Sequence, residues 1–147
     1  MSTKILVVDD EPDFVQLMTY HLTRAGFEVL QASNGLEAVH LARRHVPDVV
    51  LLDAMMPGFD GFAVCEVLGW SSVTSRVPVI LITALDRARA GPRALRAGAV
   101  KQLTKPVEFP TLLATVQEVV HGRRELFPAR AAEPVGPAQK ALAEKRC

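Results

Sequence analysis

The segment ILVVDDEPDF, residues 5–14, runs from four aliphatic residues into three adjacent carboxylates, Asp9, Asp10 and Glu11. No Lys or Arg follows closely enough in the chain to neutralise them. Three more residues that could do chemistry stand where later apolar runs end. They are Asp53 after DVVLL, Thr83 after VPVILI and Lys105 after VKQLT. Carboxylates grouped with carbonyls and water make a hard-oxygen site suited to Mg²⁺, which commonly keeps several waters and takes phosphate oxygens as further ligands. An Asp carboxylate can also attack phosphorus and form an acyl phosphate. The charge on the transferred phosphoryl group is then neutralised by a cation and a lysine, and a threonine hydroxyl can donate to one of its oxygens. The chain has no glycine-rich Lys-Ser/Thr loop, so a bound nucleotide is not expected.

The elements that must position these groups alternate regularly. Strands are expected at 4–8, 28–32, 48–52, 77–82 and 100–104. The first, third and fourth are continuously apolar, as parallel strands covered on both faces are. Between them, residues 13–26 carry Phe14, Leu17, Met18 and Leu22 at helical spacing and stop at Gly26. Residues 35–45 follow Asn34 as N-cap, with Leu36, Val39 and Ala42 on one side. A third helix covers 60–69 behind Asp60, and the last covers 108–126. Segment 84–98 has Gly91 and Pro92 in its middle, so the regular helix is expected to start near Pro92, with 86–91 as loop. The alternation calls for right-handed crossovers and a doubly wound α/β sheet. In such sheets functional groups gather beyond the carboxyl ends of the strands. Asp9, Asp10, Asp53, Thr83 and Lys105 all fall there.

The chain has 147 residues, enough for one domain, and a formal net charge of +1. The charge is uneven. Residues 1–121 hold 11 Lys+Arg against 13 Asp+Glu, and residues 122–147 hold 6 against 3. Neither balance points to direct nucleic-acid binding. No apolar stretch approaches the length of a membrane span, and the expectation is a cytoplasmic protein. Cys65 and Cys147 make no metal-ligand spacing, and Cys65 reads as a small buried hydrophobe. From residue 127 the sequence is rich in Pro and Ala, a linker or tail. The expected domain is therefore 1–121, with 122–147 as a basic tail.

The ordered set VVDDEP, LLDAMMPGFDG, ITA and LTKP, spread over about four fifths of the chain, resembles the receiver domain of two-component response regulators. The resemblance implies a flavodoxin-like fold, a five-stranded parallel sheet in the order 2-1-3-4-5 with helices on both faces. It implies phosphorylation of Asp53 by a histidine kinase or phosphotransfer protein. It further implies Mg²⁺ held directly by Asp10, Asp53 and the Met55 carbonyl, with Asp9 acting through water. Thr83, Ala84 and Lys105 would hold the phosphoryl group, and the Lys105–Pro106 bond would be cis, as it often is in such domains. The implied output is a switch in protein contacts, with a downstream protein partner and a possible phosphorylation-dependent homodimer, and no enzymatic activity.

Departures from the family pattern carry expectations of their own. Three positions before the lysine, where receivers commonly carry an aromatic residue, this chain has Gln102. Readout is then expected through the loop after strand four, or through a Gln102 hydrogen bond. Met55 and Leu85 flank the phosphoryl position and are apolar where polar residues tend to orient the hydrolytic water, so a long-lived phosphoryl group is expected. Arg89, Arg93 and Arg96 would form a basic face for an acidic partner. Two alternatives stand beside this reading. The chain could be the receiver of a longer regulator with an output domain, for example one that binds DNA. It could also be an aspartate-nucleophile phosphatase, although such enzymes usually place a second Asp where Met55 stands.

Overall fold

The computed structural model describes residues 2–85 and 87–126. The elements run β1 (Lys4–Val8), α1 (Pro12–Arg24), β2 (Glu28–Ala32), α2 (Gly35–His45), β3 (Val49–Asp53), α3 (Gly61–Trp70), β4 (Val79–Thr83), α4 (Arg87–Ala97), β5 (Lys101–Thr104) and α5 (Phe109–Leu126). All strand pairings are parallel, in the order β2-β1-β3-β4-β5, as the resemblance implies. No helix among the described residues is long and apolar enough to cross a membrane.

The period-two alternation of the buried strands divides the core. Ile5, Val7, Val49, Leu51, Ile80 and Ile82 face α1 and α5. Leu6, Val8, Val50, Leu52 and Leu81 face α2, α3 and α4. Every residue of β3 and β4 is buried, which explains their unbroken apolar text. On α1 the buried stripe is Val15, Met18 and Leu22, and Leu17 is half exposed instead of buried as its spacing implied. On α2 the stripe is Gly35, Ala38 and Ala42. Ala38 and Ala42 pack in the core with the strands, Gly35 abuts Phe59 and Val64, and Leu36, expected on the inner side, is 74% exposed.

Helix α4 corrects the expectation of a loop over 86–91 at residues 87–91, and residue 86 lies outside the described residues. The helix begins at Arg87 and carries Pro92 inside it. An interior proline costs about 3 kcal/mol through a lost hydrogen bond and a steric clash. Ala90, Ala94 and Ala97 offset this by burying one continuous stripe against the core, while Pro92 faces solvent.

Helix α5 continues past residue 121. Arg123, only 8% exposed, donates from Nη1 to the carbonyls of Pro47 at 3.2 Å and Asp48 at 2.8 Å. Those carbonyls precede β3, so the guanidinium ties the end of the last helix to the middle of the sheet. The basic segment expected as tail from 122 therefore begins inside the helix, and residues 127–147 lie outside the described residues. Arg123→Ala removes the donor for both carbonyls and is expected to lower stability by about 2 kcal/mol. Urea unfolding of the full chain measures this, and an unchanged midpoint would show that the tie contributes nothing.

Candidate functional site

The sheet edge assembles the site by register alone. Asp53 is the last residue of β3 and lies opposite Ile82 of β4, and the Ala54 amide donates to the Ile82 carbonyl at 2.8 Å. Thr83, next along β4, lies opposite Thr104, and the Lys105 amide donates to the Thr83 carbonyl at 2.8 Å. The Lys105–Pro106 peptide bond is cis, as expected. At the end of β1 the Asp9 amide donates to Ala32 of β2. Asp9, Asp10 and Asp53 thereby bring one carboxylate oxygen each within 4.8 Å of the others, a set able to hold a metal ion. Asp9 and Asp53 are buried, at 1% and 4% exposure, and Asp10 is exposed to solvent.

One ammonium faces this cluster. Lys105 Nζ lies 3.1 Å from Asp9 Oδ2, 3.8 Å from Asp53 Oδ1 and 3.9 Å from Glu11 Oε1. It also sits 4.7 Å from the centroid of the Phe14 ring. Burial alone would pull Lys105 down. The hydrogen bond to Asp9 and the charges of Asp53, Asp9 and Glu11 outweigh it and hold the ammonium above the ordinary lysine value.

Asp53 feels the opposite balance. Burial raises it first, the Met55 amide that donates to Oδ1 at 3.1 Å lowers it, Asp9 raises it, Lys105 lowers it and Asp10 raises it. The outcome is a carboxyl pushed up from 3.8 to about 6. Burial leads, and charge counting shows why the neighbouring charges do not cancel it. Unit charges about 4 Å apart interact by roughly 4 kcal/mol at an effective dielectric of about 20. Three carboxylates make three repulsive pairs, and the lysine makes close attractive pairs with only Asp9 and Asp53. The donor set is all hard oxygen and carries an excess of negative charge, which fits a small divalent cation.

The remaining expected residues are placed as follows. Thr83 is fully buried, and its Oγ1 accepts from the Leu85 amide at 3.0 Å, which keeps its own O–H available to donate. Ala84, between them, is exposed at the start of the β4–α4 loop. Gln102 lies across from Leu81, and its Oε1 is 3.9 Å from the point where a Cβ on Gly91 of α4 would stand. Its Nε2 is buried with no hydrogen-bond partner. Asp60 caps α3 by accepting from the Ala63 amide at 2.9 Å, as expected. Its other oxygen binds Arg93 at 3.2 Å, and the Arg93 guanidinium lies 4.1 Å over the Phe62 ring. Of the three arginines of the expected basic face, Arg93 is thus joined to α3, while Arg89 and Arg96 are exposed. Cys65 is buried and free, and burial pushes its thiol up to about 11.

Sequence reasoning missed two parts of the site. Phe14 looked like core, yet its ring lies under the Lys105 ammonium. Gly61 opens α3, and its amide donates to the Ala54 carbonyl at 3.1 Å. A Cβ there would overlap the Asp53 carbonyl and stand 2.7 Å from Ala54 Cα. Only glycine lets α3 start directly against the backbone of Asp53. The signal was present in Asp60–Gly61, read only as a cap.

The raised Asp53 carboxyl has a stability consequence. Between the ordinary aspartate range and about pH 6 the folded chain holds a proton that the unfolded chain has released. Stability therefore falls as pH rises through that window. In chelator-containing buffer, Asp53→Asn is expected to gain about 1–3 kcal/mol at pH 7–8, a gain that shrinks as pH drops below about 6. Urea unfolding across pH measures it, and a gain that does not change with pH would contradict a carboxyl raised in the folded chain.

A family model for the response regulator receiver domain matches residues 5–117. Protein PilH of Pseudomonas aeruginosa is 43% identical over 119 residues, which is 81% of this chain and 98% of PilH. Response regulator PleD of Caulobacter vibrioides is 41% identical over 136 residues, 92% of this chain, and the chain spans only 30% of PleD. Several other curated relatives are likewise spanned over less than half of their length. Chemotaxis protein CheY4 of Vibrio cholerae superposes with a TM-score of 0.77 at 31% identity, covering 81% of this chain and 99% of that one. With its sheet order, its acidic rim and these relatives in agreement, the chain belongs to the response regulator receiver domain family of two-component signalling.

Proposed function

We propose that Asp53 accepts a phosphoryl group from the phosphohistidine of a sensor histidine kinase or phosphotransfer protein, and that the added charge switches this chain's protein contacts. The observation that carries the reading is Asp53 itself. It is a buried carboxylate with two acidic neighbours within 4.8 Å and a lysine ammonium 3.8 Å away. A carboxylate oxygen of Asp53 attacks phosphorus, the N–P bond breaks, and the electron pair leaves with the imidazole, which takes up a proton. Asp10, Asp53 and the Met55 carbonyl are the residues that would hold Mg²⁺, with Asp9 acting through water. When bound, the ion supplies charge neutralisation for the phosphoryl oxygens.

The chain's own groups do the rest. Lys105 is charged and stands within reach of Asp53. A phosphoryl group adds about −1.5 to −2 charge, so the balance at Lys105 moves from Asp9 toward Asp53. Thr83 can donate to a phosphoryl oxygen while still accepting from Leu85. Moving that hydroxyl moves the β4–α4 loop with it. The Gln102 amide, with Oε1 toward Gly91 of α4 and a buried Nε2 without a hydrogen-bond partner, offers a second route by which a shift could be read. The output is a contact with a downstream protein or a phosphorylated homodimer in the cytoplasm, without direct nucleic-acid binding.

A second version has support of its own. The match to PleD, over 136 residues, is longer than the described fold, and the chain spans a minor part of that protein. In this version the same receiver serves an output domain in a longer regulator. Intact mass of the protein from its native source distinguishes the two.

Incubation with a small phosphodonor and Mg²⁺ is expected to add one acid-labile phosphate, seen by mass. Asp53→Asn abolishes it, Mg²⁺ chelation slows it, and Thr83→Ala keeps it while losing the accompanying amide shifts in α4. Phosphate incorporation in Asp53→Asn would sink the assignment. Met55 and Leu85 offer no polar group to a hydrolytic water, so the phosphoryl group is expected to persist for minutes or longer. Met55→Asn should shorten its lifetime, and decay within seconds in the unaltered chain would rule the idea out.

A further inference from the structure

A second feature lies away from the acidic rim. Between α2 and α3 runs a groove of about 650 Å³. This is within the usual range for binding clefts and large enough for a few bulky side chains. Its existence follows from the packing of α2. Because Gly35, Ala38 and Ala42 form the buried stripe, the larger residues of the helix are left beside the sheet, not on it. Leu36 and Val39 from α2, Phe59 from the β3–α3 loop and Val67 from α3 make an apolar lining. Trp70, one turn beyond Val67 and the only tryptophan in the chain, is 79% exposed.

The charge on this groove has one sign. His40, Arg43 and Arg44 border it, and no acidic residue lines it. All three are exposed, and neither arginine forms an ion pair among the described residues. The place of Arg43 and Arg44 in the last turn of α2 accounts for some of their value, since cations there favour the helix dipole. It does not account for an apolar lining beside them.

We infer that the α2–α3 groove docks an amphipathic acidic helix of another protein, with apolar side chains in the groove and carboxylates against Arg43 and Arg44. Charge complementarity selects this occupant. The chain's own residues 127–147 carry four Lys+Arg against two Asp+Glu, so they bring positive charge to a positive edge. A second copy docked groove to groove would set the two arginine edges in one contact. An acidic helix meets both the lining and the edge, and it gains a faster encounter from the charge. The groove lies apart from the acidic rim, and the case for its occupant does not rest on Asp53 chemistry.

The test titrates the full chain with a synthetic helical peptide, Leu at i, i+3, i+4 and i+7 and Glu elsewhere, read by Trp70 emission and amide shifts. Saturable binding is expected, with shifts confined to α2, α3 and the Phe59 loop. Arg43→Glu with Arg44→Glu should weaken it by at least about tenfold. The milder Arg43→Gln with Arg44→Gln, which adds no charge to the end of α2, should weaken it less. Arg89→Glu with Arg96→Glu should leave it unchanged. Absence of saturable binding overturns the proposal, as does equal binding by the peptide with Lys for Glu or with Ser for Leu. A spin label on Cys147 that broadens groove amides would give the groove to the tail. Sedimentation showing self-association lost in the Arg43/Arg44 variants would give it to a second copy. Either result overturns the acidic-helix assignment.

Discussion

The constraint on which this structure turns is the burial of like charges at the carboxyl edge of one sheet. Asp9 and Asp53 end adjacent strands and are almost wholly removed from water, with Asp10 beside them. Without a counter-charge this would be prohibitive, since an isolated buried carboxylate costs many kcal/mol. Lys105 provides one positive charge, delivered from the far edge strand by the turn at Pro106. One charge is enough to keep the fold and too little to balance three carboxylates. Burial first, and the residual repulsion with it, push the Asp53 carboxyl up to about 6. A site left short of positive charge is selective for cations by construction. It also makes its lysine responsive, because any change of charge on Asp53 alters which carboxylate the ammonium favours.

Much of this was legible in the sequence because it depends on period and position. Continuous apolar runs gave buried parallel strands, and the rule that function gathers beyond strand ends picked out Asp9, Asp10, Asp53, Thr83 and Lys105 before any geometry was known. What escaped depends on which neighbour a side chain meets. Phe14 fits a helical stripe as well as it fits a lysine's underside, and periodicity cannot distinguish these. Leu17 and Leu36 sat at apolar spacing but are exposed, because the adjacent Val15 and the small Ala38 and Ala42 fill the inner positions. The start of helix α4, expected near Pro92 but found at Arg87, escaped for a related reason. The local cost of Pro92 is visible in the text, whereas the buried stripe of Ala90, Ala94 and Ala97 that offsets it exists only against the sheet.

Arg93 shows how a charge run can divide. Arg89, Arg93 and Arg96 look equivalent by spacing, but Arg93 is joined to α3, meeting Asp60 and the Phe62 ring. At 51% side-chain exposure the ion pair alone is worth little, in the range of surface bridges. Its interest is positional. Asp60 is also the cap of α3 and the neighbour of Gly61, which abuts the Asp53 backbone. Helix α4 is therefore joined to the loop that follows Asp53 by side chains, in addition to its link through β4.

That loop, residues 54–60, is held from both ends by glycines that leave no room for a Cβ. At Gly61 an added Cβ would meet the backbone of Asp53 and Ala54. At Gly35 it would stand 2.8 Å from both the Phe59 ring and the Phe59 carbonyl, and 2.9 Å from Val64. The first contact fixes the loop against the acidic rim, and the second fixes it against α2. Packed backbone of this kind deforms little, and interiors at this density transmit displacement instead of absorbing it. The residue that carries the α2 contact, Phe59, is also a wall of the α2–α3 groove. The acidic rim and the groove thus share one stiff connecting segment. If the loop adjusts when Asp53 changes charge, the groove changes shape, and by linkage an occupant of the groove alters the energy of that change by the same amount.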